Sequence, residues 1–356
     1  MTIYHLIGCM TGTSCDGVDL AYIITNGSDQ LTLGPATTVA FENDYRNRLR
    51  SRVTAGLKYH FMDDALGKDI ANYHAYHIQE FIQRHQLKVD AIGFHGQTVW
   101  HDPKNGVTIQ LGDSQHLANK LNINVVGQFR LNDVANGGQG APLAPIYHKA
   151  MTAKLQKPLA VLNIGGVANL TFITERNLIA GDVGPGNALI DDWMERHTGI
   201  AQDTNGSCAQ KGIVNQSILD KWLQDPFFSK ALPKSLDRLH FHQNLNDCQK
   251  LSVEDGAATL TEFTIQSIIK SLQNLPAEPK QLVVCGGGCH NPILMAGLQN
   301  FTNVLIASDL GFNGDAIEAQ LMAYLAARFF EKLPSSFPGT TGVSEPTIAG
   351  ELFLAK

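Results

Sequence analysis

The chain has 356 residues, of which 44% are hydrophobic and 17% are charged, a composition typical of globular proteins with more than one core. Its formal net charge of -6 argues against a surface for nucleic acid or anionic membrane, since both require clustered basic residues. The sequence has no long apolar run and no basic segment followed by an apolar one at its start, so we expect a soluble, cytoplasmic protein.

The first predicted elements are two strands, residues 4–10 and 17–25, joined by a glycine-rich turn. Two helices follow at residues 42–56 and 63–86, and the second carries apolar residues along one face. A strand at residues 90–96 leads into the polar segment GFHGQTVWHDP, which we expect to be a loop. Further strands are expected at residues 107–112 and 123–130, before the Gly- and Pro-rich segment GGQGAPLAP.

The strand, glycine turn, strand pattern returns later in the chain. Strands are predicted at 158–166, 167–174 and 178–187, followed by helices at 188–198 and 315–330, with a strand, glycine loop and helix over 281–298. Strands that alternate with helices indicate an α/β protein, and the repeated opening suggests two structurally related halves. We place the domain break near residues 127–144, giving an N-terminal lobe of residues 1–130 and a C-terminal lobe of residues 131–356.

Glycine turns expose backbone N–H groups and let a bulky anion approach closely. Such turns occur at residues 8–17, 165–166, 184–186 and 286–288, and the third directly precedes a helix N-terminus, which favours negative charge. The sequence has no P-loop motif, and neither GPGNAL nor GGGCHN completes a Rossmann fingerprint. These features favour the two-domain actin-like ATPase and sugar-kinase fold, an α/β architecture with a nucleotide and substrate cleft between its lobes.

In that fold the first hairpin is expected to hold the terminal phosphates. The hydroxyls of Thr11, Thr13 and Ser14 and the backbone of Gly12 are suited to phosphate oxygens, and Asp16 or Asp19 would face a magnesium ion. The alternative is a polar hairpin with an ordinary turn.

Asp182 is the best-placed general base in the sequence. It follows an apolar strand and precedes a glycine turn and a helix, where a carboxylate can remain ionised and accept a proton. The alternative is a helix cap, but Asn187 is better placed for the cap position. Asp191 and Asp192 are expected only to match the helix dipole.

Several polar residues suit a sugar. His95, Gln97 and Thr98 belong to the polar segment GFHGQTVWHDP, and Arg130 with Asp133 could hold a carboxylate and a hydroxyl. Glu318 shares a helix face with Asp315 and could serve either as charge at the helix start or as a polar wall. Neither the histidine pair nor the cysteines have a spacing suited to metal ligation.

The sequence resembles the anhydro-N-acetylmuramic acid kinases through seven co-linear segments. They are GCMTGTSCDGVD, GFHGQTVWHDP, GGQGAPLAP, NIGGVANLT, GDVGPGNALIDD, VCGGGCHNPILM and GDAIEAQLMAYLA. Together they extend over nearly the whole chain.

The resemblance implies an ATP- and Mg2+-dependent kinase of cell-wall recycling that converts 1,6-anhydro-N-acetylmuramic acid to N-acetylmuramic acid 6-phosphate. Because O6 of this sugar is tied to the anomeric carbon, the family couples hydrolysis to phosphorylation: a carboxylate activates water, and the released O6 takes the phosphoryl group. The matching carboxylate is Asp182, and Glu318 matches an acid near the sugar. A small-molecule sugar is the expected partner, nucleic acid and membrane are not, and a homodimer is compatible with the family.

The predicted site has two parts besides Asp182. The predicted nucleotide-binding residues are Gly12, Thr13, Ser14, Cys15, Asp16, Gly17, Val18, Asp19, Gly165, Gly166, Gly286, Gly287, Gly288 and Asn291. The predicted substrate-binding residues are His95, Gln97, Thr98, Arg130, Asp133, Gly184, Asn187 and Glu318.

The chain departs from the family pattern at a few positions. Gln128 replaces the usual Asp, Thr11 replaces a commoner Ser, Gln202 replaces a Tyr, and residues 233–238 lack the usual Thr-Gly. Two alternatives remain: a plain sugar kinase acting on a free hydroxyl, and a binding ATPase with no small-molecule acceptor.

Overall fold

A computed structural model describes residues 1–12, 15–55 and 64–356. The chain forms two compact units. Unit 1 comprises Met1–Ala153 and Asp315–Lys356, and unit 2 comprises Lys154–Gly314. These limits differ from the division at residue 130 that glycine and proline suggested, because unit 1 continues past that point and also takes the end of the chain.

Unit 1 is built on a mixed sheet. Its strands are β1 (Tyr4–Thr11), β2 (Gly17–Thr25), β3 (Leu31–Ala40), β4 (Ala91–Asp102), β5 (Val107–Leu111), β6 (Val125–Gly127) and β12 (Glu351–Phe353). Their order is β12-β6-β4-β1-β2-β3, with β5 paired to β4. Strands β1, β2 and β3 are antiparallel, whereas β1, β4 and β6 run parallel.

Helices cover this sheet. They are α1 (Asn43–Ala55), α2 (Asp64–His85), α3 (Ser114–Leu121), α4 (Leu131–Ala135), α5 (Ala144–Met151) and α10 (Ile317–Phe330). Helix α10 lies directly on the sheet centre, where Gly8 and Gly93 are paired across β1 and β4. A Cβ on Gly8 would lie 1.7 Å from Ala319 O, and one on Gly93 would lie 2.1 Å from Met322 O. This close packing explains why the C-terminal residues belong to unit 1.

Unit 2 contains a second mixed sheet. Its strands are β7 (Leu159–Ile164), β8 (Val167–Ile173), β9 (Leu178–Pro185), β10 (Leu282–Cys285) and β11 (Val304–Ile306), and its helices are α6 (Ala188–Thr198), α7 (Gln216–Trp222), α8 (Val253–Gln273) and α9 (Pro292–Gln299). The strand order is β11-β10-β7-β8-β9. Strands β7, β8 and β9 are antiparallel, whereas β7, β10 and β11 run parallel.

The two sheets therefore share one topology. In each, an antiparallel meander of three strands is extended by parallel strands beside its first strand. This duplication confirms the predicted α/β fold of the actin-like ATPase and sugar-kinase type, with related halves that both open on a hairpin. Among the described residues, no helix is long and apolar enough to cross a bilayer.

Three sequence predictions differ from the structure. Strand β3 was not predicted: its burial alternates, but Gly34 and Pro35 interrupt the sequence, and its inward-facing residues are only half-buried. The polar segment expected to be a loop, residues 93–103, instead forms most of β4, and residues 97–102 pair with β5. The strand expected at residues 123–130 stops at Gly127 because Gln128 adopts a φ of 55°. The predicted helix limits at Gly56 and Asp63 lie outside the described residues.

Candidate active site

The tip of the first hairpin, β1–β2, is held by a buried amide. Gly12 O accepts hydrogen bonds from Cys15 N–H at 3.1 Å and from Gln97 Nε2 at 3.3 Å. Gln97 is fully buried, donates also to Thr98 O at 3.2 Å and accepts the Cys15 thiol at 3.6 Å. Although its position suggested a sugar contact, the amide is used inside unit 1, where it binds Gly12 O and the Cys15 thiol. Thr13 and Ser14 lie outside the described residues.

The last residue of β1 is tied to helix α2. Thr11 Oγ1 lies 2.9 Å from His74 Nε2, and His74 Nδ1 lies 2.7 Å from Ile70 O. Burial lowers the pKa of His74 to about 4, so the ring is neutral at pH 7. Its Nδ1–H then donates to Ile70 O, and Nε2 accepts the Thr11 hydroxyl. Thr11, expected at a phosphate, is 1% exposed and stabilises the hairpin. His74 is not among the predicted site residues; its signal in the sequence is a histidine on an apolar helix face.

The predicted acids after the tip have different surroundings. Asp16 is exposed and forms an ion pair with Arg46, and it lies 3.9 Å from Arg50 Nη2. Asp19, half-buried on β2, accepts the Thr38 hydroxyl at 2.6 Å. Of the two, Asp19 is the better placed for a cation, because arginine charge already neutralises Asp16.

Gly17 and Val18 begin β2 and are buried in its packing. A Cβ on Gly17 would lie 2.4 Å from Val39 O, so this glycine is required by the approach of β3. The structure therefore gives these two residues a packing role within unit 1.

A charged cluster in unit 1 contains Arg130, His95, Glu318 and Asp19. Arg130 Nε donates to His95 Nε2 at 3.0 Å, and His95 Nδ1 lies 2.9 Å from Gly96 O. Burial, and then the charge of Arg130, lowers the pKa of His95 to about 3. His95 is therefore a neutral acceptor that orients the guanidinium, and it is 4% exposed.

Glu318 completes this cluster from the start of α10. Its side chain is accessible to solvent, yet enough protein atoms surround it that desolvation raises its pKa. The charge of Asp19 raises that pKa further, and Arg130 lowers it. The pair of Arg130 and Glu318 thus presents both signs of charge, which suits a ligand with a carboxylate and hydroxyls.

Two further residues of unit 1, Asp133 and Thr98, were predicted to bind substrate. Asp133 is fully buried and accepts hydrogen bonds from Gly140 N–H and from the Thr341 hydroxyl, both at 2.5 Å. It holds the turn that follows α4 and is not exposed to a ligand. Thr98 is half-buried on β4 and accepts Gln110 Nε2 at 3.4 Å.

The second hairpin, β7–β8, is held by backbone amides. Gly186 N–H and Ala188 N–H donate to Gly166 O at 3.0 and 3.2 Å, and Asn187 N–H donates to Gly165 O at 2.8 Å. These amides at the start of α6 were expected to attract an anion, but the tip carbonyls occupy them. Asn187 fills the predicted cap position, yet among the described residues its side chain makes no cap bond; Nδ2 instead donates to Ile164 O at 3.3 Å.

Asp182 lies inside β9, opposite Asn169 on β8 and next to a register shift in the β8–β9 pairing. Such a shift re-aims the neighbouring side chains. Asp182 is half-buried, and its Oδ2 accepts Leu236 N–H at 2.6 Å. Burial raises its pKa, while the Leu236 N–H and the charge of Lys234 lower it. A carboxylate with a raised pKa is a stronger base once ionised.

Gly184, predicted to bind substrate, is buried two residues beyond Asp182 in β9. A Cβ on Gly184 would lie 2.5 Å from Ser267 Cβ. The glycine therefore serves the packing of α8 against the sheet.

A pocket of about 220 Å³ lies within unit 2. It is lined by Asn187, Ile190, Asp191, Gln202, Asp203, Thr204, Asn205, Gly287, His290 and Asn291. The structure thus brings three predicted residues, Asn187, Gly287 and Asn291, to the lining of one pocket. Gly286 leaves β10 with a φ of 81°, and Asn291 Oδ1 caps α9 by accepting Ile293 N–H at 3.0 Å.

The predicted site does not include Asp191 or the pocket residues 202–205. Burial, and then the charge of Asp192, raises the pKa of Asp191 to about 6, against the charge of Arg238. A carboxyl group whose pKa is raised by burial and a neighbouring charge, beside a polar pocket, is typical of a functional group. The available signal was Gln202, at which the chain departs from the pattern of the family it resembles.

The chain is similar in sequence to proteins of one named family. A sequence profile described as anhydro-N-acetylmuramic acid kinase matches residues 4–355. The protein of that name from Gluconobacter oxydans is 43% identical, covering 97% of this chain and 98% of its own length. The one from Acidiphilium cryptum is 43% identical, covering 98% of each.

Two solved structures align with this chain at much lower identity. A xylulose kinase from Lactobacillus acidophilus aligns over 99% of this chain and 94% of its own, with 10% identity and a TM-score of 0.46. The (R)-2-hydroxyglutaryl-CoA dehydratase component A from Acidaminococcus fermentans covers 91% and 99%, with 12% identity and a TM-score of 0.44. The assignment rests on the sequence relatives, whose identity and coverage show that the chain belongs to the anhydro-N-acetylmuramic acid kinase family.

Proposed function

We propose that this chain uses ATP and water to convert 1,6-anhydro-N-acetylmuramic acid into N-acetylmuramic acid 6-phosphate and ADP. Family membership supports a carbohydrate kinase over a binding ATPase. The observation that carries the hydrolytic step is Asp182, a half-buried carboxylate with a raised pKa and one oxygen held by a backbone amide.

The reaction needs a base because the substrate has no free 6-hydroxyl. Asp182 accepts a proton from water, and the water oxygen bonds to the anomeric carbon. The bond between that carbon and O6 breaks, leaving its electron pair on O6. O6 bonds to the γ-phosphorus as the bond to the bridging oxygen breaks, and ADP leaves with that pair. The proton on Asp182 then passes to solvent.

The residues of unit 1 that we assign to sugar binding are Arg130 and Glu318. Arg130 is suited to the substrate carboxylate, because His95 orients its guanidinium. Glu318 is suited to the sugar hydroxyls as an acceptor. His95, Gln97 and Asp133 act behind these groups, since all three are buried and hydrogen-bonded within unit 1.

The pocket of unit 2 is assigned to the base and ribose of ATP. Its amide side chains offer both donors and acceptors, and Asp191 can accept ribose hydroxyls. Mg2+, when bound, neutralises phosphate charge. Asp19 fits such an ion, since it is a half-buried carboxylate whose charge already raises the pKa of Glu318, and Mg2+ in kinases needs only one or two carboxylates besides phosphate.

The test is ADP release with the anhydro sugar in oxygen-18 water, for the wild type and Asp182→Asn. We expect label at the anomeric oxygen of the phosphorylated product in the wild type, and kcat about 10²–10⁴-fold lower in the variant with ATP binding retained. Unlabelled product incubated in the same water measures spontaneous exchange at the anomeric centre, and Asp192→Asn is the matched acid control.

The alternatives give other results. Phosphorylation of a free hydroxyl with no reaction of the anhydro sugar would identify a plain sugar kinase. Full ADP release without sugar would identify a binding ATPase. Near-normal turnover by Asp182→Asn would remove Asp182 as the base.

A further inference from the structure

A backbone segment crosses the outer edge of β9 at Asp182. Asp182 N–H donates to Lys234 O at 2.8 Å, and Leu236 N–H donates to Asp182 Oδ2 at 2.6 Å. The preceding residue must be small, since a Cβ on Gly181 would lie 2.6 Å from Lys234 O. The segment 234–236 is thus joined to the backbone and to the side chain of Asp182 at once.

The Lys234 side chain is fixed in its turn. It is half-buried, its Nζ donates to Phe227 O at 2.9 Å, and Nζ lies 4.2 Å from the centre of the Phe227 ring. Two charged groups act on it: the exposed Lys230, which repels it, and Asp182, which attracts it. Burial, and then Lys230, lowers the pKa of Lys234 to about 8, so the ammonium loses its proton at mildly alkaline pH.

The two oxygens of Asp182 have different surroundings. Oδ2 accepts the Leu236 amide, whereas Oδ1 accepts no hydrogen bond from the described part of the chain. An amide donor stabilises the charged carboxylate and fixes its rotation. Oδ1 is therefore the oxygen that can take a proton without breaking a hydrogen bond.

We propose that segment 234–236 is the positioning element of the base: Leu236 N–H holds Oδ2, Lys234 O holds the Asp182 backbone N–H, and Oδ1 takes the proton from water. The Lys234 charge, fixed at Phe227 O, favours the ionised carboxylate. This inference rests on the proposed function. The proton moves from water to Oδ1 while the water oxygen bonds to the anomeric carbon, and Lys234 neither gains nor loses a proton in the step.

The test compares the pH dependence of kcat in wild type, Lys234→Met, Lys234→Arg and the control Lys230→Met. Without the ammonium, Asp182 binds its proton more tightly, so the acid limb of Lys234→Met should move to higher pH. Relative to wild type, we expect the kcat of Lys234→Met at about pH 5.5 to be reduced about threefold more than its kcat at the plateau of the pH profile. Lys234→Arg should restore the wild-type limb, and Lys230→Met should leave it unchanged.

A purely structural role would lower kcat by one factor at every pH, and that result would overturn the proposal, as would an equal shift in Lys230→Met. Replacing the Leu236 amide by an ester removes the donor and keeps the side chain. This change should also move the acid limb upward, and an unchanged limb would refute the assignment of Oδ2. A wild type that releases no ADP with the anhydro sugar would instead contradict the proposed function.

Discussion

Hairpins β1–β2 and β7–β8 occupy the same position in two sheets of the same topology, yet different groups hold their tips. In unit 1 the side-chain amide of Gln97 binds Gly12 O. In unit 2 the backbone amides of Gly186, Asn187 and Ala188 bind the tip carbonyls. Beyond the Cys15 N–H bond to Gly12 O, the first hairpin end is thus supported by a side-chain amide of β4, whereas the second is supported by three main-chain amides together with the Asn187 side chain.

The difference determines which substitutions each tip tolerates. A tip held by a side chain depends on the identity of that side chain. A tip held by backbone amides accepts many side chains, because every residue except proline has the donor; it depends instead on how closely the two backbones approach.

The largest effect is expected from Gly186→Ala. Its Cβ would lie 2.2 Å from Gly165 O, so the amides of α6 must move away from the tip. We expect a loss of about 3 kcal/mol in the free energy of unfolding, measured by urea denaturation. Gly166→Ala is the matched control, because its Cβ would meet its nearest neighbour, Ala188 Cβ, at 3.6 Å. Equal losses in both variants would show that the close approach does not hold the second tip.

A smaller effect is expected from Gln97→Leu. The substitution leaves Gly12 O with one donor fewer in a buried setting, which costs about 1–3 kcal/mol. If the first tip binds phosphate, the KM for ATP should rise about tenfold while the KM for the sugar changes less. Gln110→Leu removes another buried amide of the same sheet, bonded to Thr98 and Thr108. A similar rise in KM there would mean that Gln97 acts through general stability.

Much of the fold could be predicted because hydrophobic period and glycine turns are local signals. These signals predicted the two hairpins, helices α1 and α2, and the two related halves of the chain. The strand β3 could not be predicted, because it is an edge strand that contains Gly34 and Pro35 and whose inward-facing residues are only half-buried. The place of α10 on the first sheet depends on Gly8 and Gly93, and no local pattern shows that two glycines are paired beneath a helix.

The site was predictable in its residue types more than in their contacts. Asp182 lies in a strand, and the pKa of its carboxyl is raised. The amide that orients it belongs to Leu236, which is distant in sequence. Gln97 and Asp133 have side chains suited to a sugar, and only burial shows that they hold turns instead. Backbone donors and burial depend on tertiary structure, which single-residue chemistry does not contain.

The smallest effect is expected from Asp191→Asn, on the helix whose first amides hold the second tip. The folded-state pKa of Asp191 is raised to about 6 from 3.8, so ionising it costs stability. The cost is absent below about pH 4 and complete above about pH 6, and the half-buried position reduces it to about 1 kcal/mol. The variant should therefore be about 1 kcal/mol more stable at pH 7.5 and equal to the wild type at pH 4.

This gain should coincide with weaker ATP binding, because the carboxylate that destabilises the fold is the group that can accept ribose hydroxyls in the pocket. Glu195→Gln, an exposed acid on the same helix, should change neither quantity. A stability gain with an unchanged KM for ATP would separate the cost of Asp191 from nucleotide binding. Helix α6 would then serve only to hold the second tip, and the two hairpins would differ in their means of support alone.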